Sequence, residues 1–463
     1  MPVIIIGAID KDRGIGLNNE LPWHITEDLK FFKEKTINNV VVMGNNTFKS
    51  LGNKELKDRK NIVLTKNNDL IENNPDLYMN MEKLNVYINK NRKKVNIYII
   101  GGEMLYNYFI RKADIIYLTV IDKNFGCDCK FPFIPNNYEI TNYSQSKFDD
   151  TQNVNYRFIE YRYTKEPCLN EFQYLHLAQD ILKYGNERTD RTGVGTKSLF
   201  GRQMRFDISK SVPILTTKKV PFKLTIEELL WFLRGETDSK ILEEKGIKIW
   251  SGNTSREFLD NRGLNHYEIG DIGPMYGWVW RHFGANYVDC KTDYSGKGID
   301  QLEQVIHMLK TDPFSRRILM TDYDPSIADK GVLICCHGIV VQFYVEVIDG
   351  IKHLSCHVYI RSNDQFLGQP INILSYSILT YIIALKTELK PKELVISLGD
   401  CHIYKSHLTQ IKQQLMREPL TPPKLVLNPE IKNKDWKDIT VDDFELIGYN
   451  YNVRPTIKAP MAV

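Results

Sequence analysis

Five short runs of β-branched residues recur in the first 120 residues, and they constrain the fold more than any other feature of the sequence. Each run suits one buried strand, and the runs are Val3 to Ile9, Asn39 to Met43, Lys60 to Leu64, Val95 to Ile100 and Ile115 to Val120. Helical stretches separate them, such as Thr26 to Glu34, for which Thr26 is the expected N-cap. This alternation of strands and helices predicts an α/β domain with a mostly parallel sheet.

A change of pattern near Lys165 divides the chain. Two strands, near Tyr138 to Ser144 and Tyr156 to Tyr163, complete the first region, and Cys168 to Tyr184 predicts an amphipathic helix that opens the second. Further predicted elements are helices over Thr225 to Arg234 and Ile373 to Leu385 and strands near His337 to Val347 and His353 to Arg361. The expected domains are residues 1–164 and 171–463, with a short junction over 165–170.

The bulk composition narrows the class of protein. The 463 residues, 42% hydrophobic and 25% charged, are typical of a soluble globular protein of two or three domains. The net charge of +4 is far below that of most nucleic-acid-binding proteins, so a nucleic acid partner is not expected. No signal peptide and no membrane span are expected, because no apolar run reaches the ~18 residues of a span. The eight scattered cysteines favour a reducing cytoplasm, and Cys127 and Cys129 lack the second pair of a zinc site, so no metal is expected.

The first candidate site combines a glycine-containing loop with a carboxylate. Gly16 and Trp23 belong to the loop, and Asp28 follows on a helix among apolar neighbours. A partly desolvated carboxylate there needs a partner with paired donors, such as an aminopyrimidine edge. Taken alone, Asp28 could also be a solvated residue of a first helical turn. Arg59 could clamp a carboxylate bidentately, or it could be a surface arginine.

Two strand-to-helix turns suggest a phosphate site in the same region. Gly44 and Thr47 lie in MGNNTF, and Gly101 and Gly102 follow Ile100 in IIGGE. Backbone amides at a helix start favour phosphate, and paired glycines let a pyrophosphate approach the backbone.

Together these segments resemble dihydrofolate reductase over residues 1 to 164, through IGLNNELPW, MGNNTF, IIGGEMLY and IYLTVID in order. The resemblance implies an α/β fold with a central sheet and flanking helices, and hydride transfer from NADPH to dihydrofolate. Asp28 would hold the pteridine and support its protonation, with Thr119 bonded nearby, and Arg59 would take the α-carboxylate of the folate glutamate. The implied folate-pocket residues are Ala8, Phe32 and Leu51, and the implied NADPH contacts are Gly16, Trp23, Gly44, Thr47, Thr65, Lys66, Ile100, Gly101 and Gly102.

The pair Cys336 and His337 is the centre of a second candidate site. A cysteine thiol becomes a strong nucleophile when neighbouring cations lower its pKa. Four arginines near one thiol would suit a dianionic phosphate ester, and the candidates are Arg191, Arg316, Arg317 and Arg361. The alternative is that Cys335 and Cys336 are two buried thiols and that the arginines form surface salt bridges.

Other polar residues could act on the same substrate. Glu228 lies in the apolar helix EELLWFL, where an acid is either capped by polar neighbours or acts as an acid or base. His402 and Tyr404 share one face of a predicted short strand and could bind a sugar hydroxyl. The Asn372 amide both donates and accepts hydrogen bonds, so it could bind the edge of a uracil.

These segments resemble thymidylate synthase over residues 171 to 463, through DRTGVGT, EELLWFLRGET, GPMYGWVWRHFGA, DPFSRR, CCHG, IRSNDQFLGQPIN, GDCHIY and IKAPMAV. The resemblance implies an α+β fold and the reductive methylation of dUMP to dTMP by 5,10-methylenetetrahydrofolate, which leaves as dihydrofolate. Cys336 would add to C6 of dUMP, while Glu228, Tyr276 and His337 manage proton transfer with ordered water. The implied substrate-binding residues are Arg191, Arg361, Ser362, Asp364, Asn372, His402, Tyr404 and Trp250, with Val463 closing over the site. Arg316 and Arg317 would reach in from a second subunit, which implies a homodimer.

Several positions depart from the two family patterns. Asn45 stands where reductases usually have Arg or Lys, and Lys66 is the candidate substitute that would select the 2′-phosphate of NADPH. In the synthase region, Cys335 replaces a usual Pro, and Asp322-Tyr323-Asp324 replaces a more common Ala-Trp-Asn. Ile360 and Ile371 replace a usual Gln and Phe.

The sequence argues against three alternative functions. A dCMP hydroxymethylase would want Asp at position 372, because cytosine presents the opposite donor pattern to uracil. A second alternative is that one of the two domains is not catalytic and only scaffolds or regulates. The sequence argues against it, because it retains Asp28, Arg59, Cys336 and Glu228. RNA binding has no support, because the chain has neither a strong basic excess nor a basic aromatic platform. The two activities also fit together, since the synthase produces the dihydrofolate that the reductase consumes, as in the bifunctional enzyme of protozoa and plants.

Overall fold

The structure is a computed structural model that describes residues 2–190, 193–449 and 454–460. These residues form two compact units. Unit 1 comprises residues 2–168 and 454–455, and unit 2 comprises 169–190, 193–449 and 456–460.

Unit 1 is built on one large sheet whose central strands are the β-branched runs. Its strands are Val3–Ile9 (β1), Gly14–Gly16 (β2), Val40–Gly44 (β3), Lys60–Leu64 (β4), Tyr78–Met79 (β5), Ile97–Gly101 (β6), Ile115–Ile121 (β7), Cys129–Lys130 (β8), Tyr138–Tyr143 (β9), Lys147–Asp149 (β10) and Val154–Tyr163 (β11). Its helices are Thr26–Thr36 (α1), Asn45–Ser50 (α2), Asn68–Asn73 (α3), Met81–Asn91 (α4) and Glu103–Phe109 (α5).

The strand order of this sheet is β10-β11-β7-β1-β6-β3-β4-β5, with β9 also paired to β11. The strands from β7 to β5 run parallel to their neighbours, while β11 is antiparallel to β7. Ile5, Val41, Val42 and Ile99 are fully buried, because strands at the centre of a parallel sheet have helices on both faces. The predicted α/β fold of this region is therefore confirmed.

The start of α1 differs from the prediction in its capping. Thr26 is the first helical residue, and Ile25 stands at the N-cap position without a side-chain hydrogen bond. The apolar Ile25 side chain is 1% exposed, so burial holds the chain where a polar cap was expected. The acidic residues Glu27 and Asp28 then occupy the first turn, where a negative charge is favoured.

Unit 2 joins a mostly antiparallel sheet to a set of helices, as expected for an α+β fold. Its strands are Asn186–Arg188 (β12), Thr196–Asp207 (β13), Leu319–Met320 (β14), Val340–Ile348 (β15), Ile351–Asp364 (β16), Lys390–Tyr404 (β17), Lys424–Leu427 (β18) and Phe444–Ile447 (β19). Its α-helices are Asn170–Tyr184 (α6), Phe222–Leu233 (α7), Lys240–Glu244 (α8), Arg256–Asn261 (α9), Gly277–His282 (α10), Gln301–Thr311 (α11), Gly368–Lys386 (α12) and Leu408–Leu415 (α13). Short 3₁₀ helices are Ala328–Lys330, Lys405–His407, Pro429–Lys432, Trp436–Asp438 and Val441–Asp443.

The large sheet of unit 2 has the order β12-β13-β17-β16-β15-β14. Among its described strand pairs, only β16 and β17 are parallel, and the others are antiparallel. The strand that carries His402 and Tyr404 was predicted to be short, but β17 has 15 residues. Its length follows from its partners, because β13 and β16 pair with it along opposite edges.

Helix α12 is long and apolar enough to cross a membrane by length and composition alone. Most of it is buried in the core of unit 2, where Ile373, Leu374 and Ile378 are fully inaccessible. Its apolar character is therefore explained by packing against β16, β17 and α7.

Candidate active sites

A cleft of about 1240 Å³ crosses one edge of the parallel sheet in unit 1. The predicted residues that line it are Ala8, Gly16, Asp28, Phe32, Gly44, Thr47, Leu51, Thr65, Lys66, Ile100, Gly101 and Gly102. They come from strands, helix starts and loops spread over the first 102 residues, which the parallel topology brings to one edge. The cleft is large enough for two ligands of drug size side by side.

The chemical centre of this cleft is Asp28. Burial raises the pKa of the Asp28 carboxyl, and a hydrogen bond of 2.5 Å from the Thr119 hydroxyl opposes that rise. Asp28 comes from α1 and Thr119 from β7, 91 residues apart. A buried carboxyl with a raised pKa can hold a proton near neutral pH, or bind a donor pair on a ligand.

The other end of the cleft is formed by glycines and polar side chains. The Gly101–Gly102 peptide is cis, and Gly101 has a φ of +130°, which residues with a side chain rarely adopt. A Cβ atom at Gly101 would lie 3.3 Å from the Thr47 hydroxyl oxygen. This backbone is therefore open to close approach by a ligand, and Lys66 brings a cation to the same cleft. Such a lining fits a phosphate-bearing dinucleotide.

Two predicted residues lie away from the main cleft. Trp23 is 5% exposed and packs against Phe125, and it lines a smaller depression that shares Asp28 with the cleft. The Arg59 side chain lies near the Phe32 ring at 5.8 Å, and its Nε donates a 2.8 Å hydrogen bond to the Thr36 hydroxyl. Packing between α1 and β4 thus orients the guanidinium beside a residue that does line the cleft.

Sequence reasoning missed several residues of this cleft. Ile6, Leu56 and Tyr106 line it as well, and the Tyr106 hydroxyl donates a 3.0 Å hydrogen bond to the Ile6 carbonyl. Tyr106 follows the Gly101–Gly102 pair by one helical turn, so its position in the motif was the available signal. Asn45, which departs from the family pattern, is also part of the lining.

In unit 2, the Cys336 thiol lies in a cluster of aromatic and polar side chains. The Tyr276 hydroxyl is 3.3 Å from the Cys336 sulfur, and the Tyr276 ring stacks on the His337 ring at 4.5 Å. Nδ1 of His337 forms a 2.9 Å hydrogen bond with the Tyr376 hydroxyl, which sequence reasoning did not single out. Burial lowers the pKa of His337 to about 4, so the imidazole is neutral at neutral pH.

Glu228 projects from α7 toward the same cluster. Its carboxyl accepts a 3.1 Å hydrogen bond from the indole N–H of Trp250, and the Trp250 ring lies 6.0 Å from that of Tyr276. Burial raises the pKa of Glu228 to about 7, and the Trp250 hydrogen bond opposes the rise. A carboxyl that titrates near neutral pH suits proton transfer in either direction.

The structure brings part of the predicted phosphate site to the thiol. The amides of Arg361 and Ser362 donate hydrogen bonds of 2.8 and 3.4 Å to the Cys336 carbonyl. Arg316 and Arg317 are exposed on the surface of the described chain. Arg191 and Val463 lie outside the described residues.

The remaining predicted ligands flank this cluster on β16, α12 and β17. Asp364 accepts hydrogen bonds from the amides of Phe366 and Leu367, and Asn372 is half-buried on α12. The His402 and Tyr404 rings lie 5.1 Å apart, so both do share one face of β17.

Within the described chain, the pKa of the Cys336 thiol is raised. Burial raises the pKa of the Cys336 thiol, the Tyr276 hydroxyl and the Arg361 charge lower it, and the Asp322 carboxyl raises it. Arg361 is the one predicted arginine that acts on the thiol among the described residues. The described residues also include no cluster of three or more His, Cys, Asp or Glu that could hold a metal ion.

Comparison with known proteins assigns each unit to a family. Residues 2–163 match the family model described as dihydrofolate reductase, and residues 172–463 match the model described as thymidylate synthase. A protein of Paramecium tetraurelia named bifunctional dihydrofolate reductase-thymidylate synthase is 41% identical over 98% of this chain and 98% of its own. Proteins of the same name from Zea mays and Leishmania major are each 37% identical, over 100% and 99% of this chain and 96% and 95% of theirs.

Proposed function

Since the chain belongs to the family of bifunctional dihydrofolate reductase–thymidylate synthases, we propose residue roles for the two reactions that this family carries out. The predicted family is confirmed, and so are the two predicted activities. The protein forms dTMP from dUMP and 5,10-methylenetetrahydrofolate, and it reduces the dihydrofolate that this reaction releases. The assignment of roles rests on the side chains that surround Cys336 and Asp28.

In the synthase reaction, the Cys336 thiolate adds to C6 of dUMP, which makes C5 nucleophilic toward the methylene carbon of the folate. Glu228 takes up the C5 proton through ordered water, with Tyr276 and His337 arranged around the thiol. Loss of the C5 proton breaks the bond between the methylene carbon and the folate nitrogen. The folate then delivers a hydride to that carbon and is released as dihydrofolate, and the thiolate leaves C6 as dTMP forms. Arg361, Ser362 and Arg191 bind the phosphate, and Asn372 binds the uracil edge.

Residues at the edge of the same cluster bind the sugar of dUMP and the folate. His402 and Tyr404 bind the sugar hydroxyl, because their rings share one face of β17. Trp250 and Asp364 help to hold the folate, and Val463 closes over the site.

In the reductase reaction, Asp28 binds the pteridine and supports its protonation. NADPH supplies the hydride when it is bound. Arg59 takes the folate α-carboxylate, and Ala8 and Phe32 pack against the ring system. Thr47, Gly101 and Gly102 contact the pyrophosphate. Lys66 binds the 2′-phosphate, because Lys66 lines the same cleft and Asn45 carries no charge.

The observation that carries the proposal is that one chain holds two separate reactive groups in two units. The first is the Asp28 carboxyl bonded to Thr119, and the second is the Cys336 thiol beside Tyr276. Burial of the Asp28 carboxyl with one hydrogen-bond partner costs free energy, so stability alone does not explain it.

The test is a two-stage absorbance assay on the purified full chain. Mixing with dUMP and methylenetetrahydrofolate should release dihydrofolate, and NADPH added next should be oxidised. Cys336→Ser should abolish the first stage and retain reduction of added dihydrofolate, and Asp28→Asn should do the reverse. Loss of both activities in either single variant would contradict the assignment of separate sites.

We also propose that the protein is a homodimer through the outer face of the unit 2 sheet. Leu319, Val340 and Tyr344 expose 45%, 39% and 65% of their surface on β14 and β15. Cross-strand pairing of Leu319 with Gln342 places all three on one face. Arg317 lies two residues before Leu319, so a partner that covers this face would receive Arg316 and Arg317 beside its own site.

Mixing two inactive variants tests the shared site. Cys336→Ser and the double variant Arg316→Ala, Arg317→Ala should each lack synthase activity. After co-refolding, heterodimers contain one complete site, so about a quarter of the wild-type activity should return. No recovery, with dimers present by sedimentation, would place these arginines in their own subunit's site.

The proposal includes two further points. The boundary between the reductase and synthase domains lies at residues 165–170, because α6 begins the second unit at Asn170. The location is cytoplasmic, because all eight cysteines are free thiols, as a reducing compartment requires.

A further inference from the structure

A carboxyl group without a hydrogen-bond partner lies beside the Cys336 site. Asp322 is 2% exposed, and neither of its side-chain oxygens has a partner within the described part of the chain. Buried polar groups in folded proteins are almost always bonded, so an orphaned carboxyl points to a role that leaves it available. None of the roles proposed above uses Asp322, which stands where related synthases more often have Ala.

The backbone holds Asp322 against the loop that carries the reactive cysteine, just before β15. Its amide donates a 3.2 Å hydrogen bond to the carbonyl of Gly338, two residues after Cys336. A Cβ atom at Gly338 would lie 2.5 Å from Oδ2 of Asp322 and 2.6 Å from the Tyr376 hydroxyl oxygen. Because Gly338 has no side chain, there is room for Oδ2 of Asp322 and for the Tyr376 hydroxyl.

The Tyr376 hydroxyl links this point to the reactive cluster. It is 2.9 Å from Nδ1 of His337, whose ring stacks on Tyr276, and the Tyr276 hydroxyl contacts the Cys336 sulfur. Side chains in contact thus lead from the thiol to Tyr376, and the Tyr376 hydroxyl and the Asp322 carboxyl lie on either side of Gly338.

The surroundings of Asp322 favour its neutral form. Burial raises the pKa of its carboxyl well above the usual range, and its own nearby backbone amide and then the Arg361 charge oppose the rise. The other titratable groups that face it are the thiols of Cys335 and Cys336 and the hydroxyls of Tyr276 and Tyr376, and burial raises the pKa of each of them as well. An ionised carboxylate there would oppose formation of the Cys336 thiolate, whereas a neutral acid would not.

We propose that Asp322 is a positioning residue: as a neutral acid it donates a hydrogen bond to the Tyr376 hydroxyl, which then donates to Nδ1 of His337. An oxygen of Asp322 and the Tyr376 hydroxyl oxygen flank the same point at Gly338, so this hydrogen bond requires only a rotation of the carboxyl group toward Tyr376. The chain of donors leaves the proton of His337 on Nε2, where it faces substrate or water as a donor. If Asp322 were ionised, the Tyr376 hydroxyl would donate to the carboxylate instead, and the opposite tautomer of His337 would result.

A matched pair of variants separates this role from packing. Asn keeps the shape of Asp322 and retains an N–H donor, and Leu keeps the shape and has no donor. The inference rests on the proposed synthase roles. We expect Asp322→Asn to keep synthase kcat within about twofold and Asp322→Leu to lose about tenfold in kcat with an unchanged KM for dUMP.

A third variant guards against misfolding. Asp322→Ala removes the carboxyl and adds no bulk beside Tyr376, so it should fold while lacking the donor. Its kcat should fall as that of Asp322→Leu does. Reductase activity of the same preparations reports that the chain is intact.

Thiol alkylation gives an independent readout of the charge. The alkylation rate of Cys336 by iodoacetamide is the total rate minus that of the Cys336→Ser variant. The pH dependence of this rate should be the same in wild type and in Asp322→Asn. A shift of alkylation to lower pH in Asp322→Asn would show that Asp322 is ionised and would overturn the inference. Equal kcat in wild type and Asp322→Leu would also overturn it, whereas absence of synthase activity in wild type would instead refute the proposed function.

Discussion

The indole N–H of Trp250 donates a 3.1 Å hydrogen bond to the Glu228 carboxyl in unit 2. Two opposing effects act on Glu228, because burial raises its pKa to about 7 while the indole donor stabilises the carboxylate. Their balance places the titration of this acid near neutral pH. A base for the C5 proton of dUMP must be ionised to act, so this one hydrogen bond should control the pH range of the synthase.

Replacing Trp250 by Phe removes the donor and keeps an aromatic ring. The pKa of Glu228 should rise further, so the acid limb of synthase kcat/KM should move to higher pH. Loss of a hydrogen bond to a charged group should also lower the maximum rate by about tenfold. Activity profiles from about pH 5 to pH 9 would measure both effects. An unmoved acid limb would mean that another group sets it, and reductase activity should be unaltered.

Glu228→Gln should change how stability depends on pH. The pKa of Glu228 is raised in the folded state from 4.5 to about 7, so the folded protein holds this proton longer than the unfolded chain does. Stability is therefore lost as the pH rises from 4.5 to about 7, by up to roughly 3 kcal/mol. Gln cannot ionise, and it still accepts from Trp250, so the melting temperature of the variant should rise relative to wild type across this interval. Parallel calorimetric curves for the two proteins would contradict the assignment.

The reductase site offers a similar test at Thr119. Its hydroxyl lowers the pKa of Asp28, which burial raises. Thr119→Val removes the hydroxyl and keeps the shape, so the pKa of Asp28 should rise. Reduction of dihydrofolate consumes a proton, so the alkaline limb of reductase kcat should move to higher pH. Thr119→Ser should restore the wild-type profile, and a profile that moves equally in Val and Ser variants would indicate a packing effect.

Gly101→Ala should weaken NADPH binding. An alanine at a φ of +130° is strained, and its methyl group would lie 3.3 Å from the Thr47 hydroxyl oxygen at the cleft. The methyl group would occupy space at the backbone that the pyrophosphate is proposed to approach, so affinity should fall by about tenfold. Fluorescence titration with NADPH would measure the change.

Gly52→Ala is the matched control for Gly101→Ala. Gly52 also has a positive φ, +72°, and no atom lies within 4 Å of the position its Cβ would take. The control should lower stability and leave NADPH affinity unaltered. Equal losses of affinity in the two variants would show that strain in the fold, and not approach of the cofactor, is responsible.

Local sequence determined most of the secondary structure and the two reactive groups. The β-branched runs predicted the central strands of unit 1 to within a few residues, because a buried parallel strand is apolar on both faces. The bounds of elements were less certain: α12 begins at Gly368, five residues before the predicted start. Tertiary packing extends such elements beyond the apolar core that marks them, and it replaced the expected polar cap of α1 by the buried Ile25.

The motifs identified Asp28, Glu228 and Cys336. Each of them is a residue type that stands out from its local sequence: Asp28 and Glu228 are acids in apolar helices, and Cys336 is a cysteine in a region with several arginine motifs. Only the tertiary structure decided contacts that no motif indicated: the Tyr376 hydroxyl bonds to His337 from 39 residues away, and the Trp250 indole bonds to Glu228 from 22 residues away. It also decided protonation, since burial raises the pKa of Cys336. Desolvation depends on every atom packed around a group, and that information is spread over strands and helices far apart in the sequence.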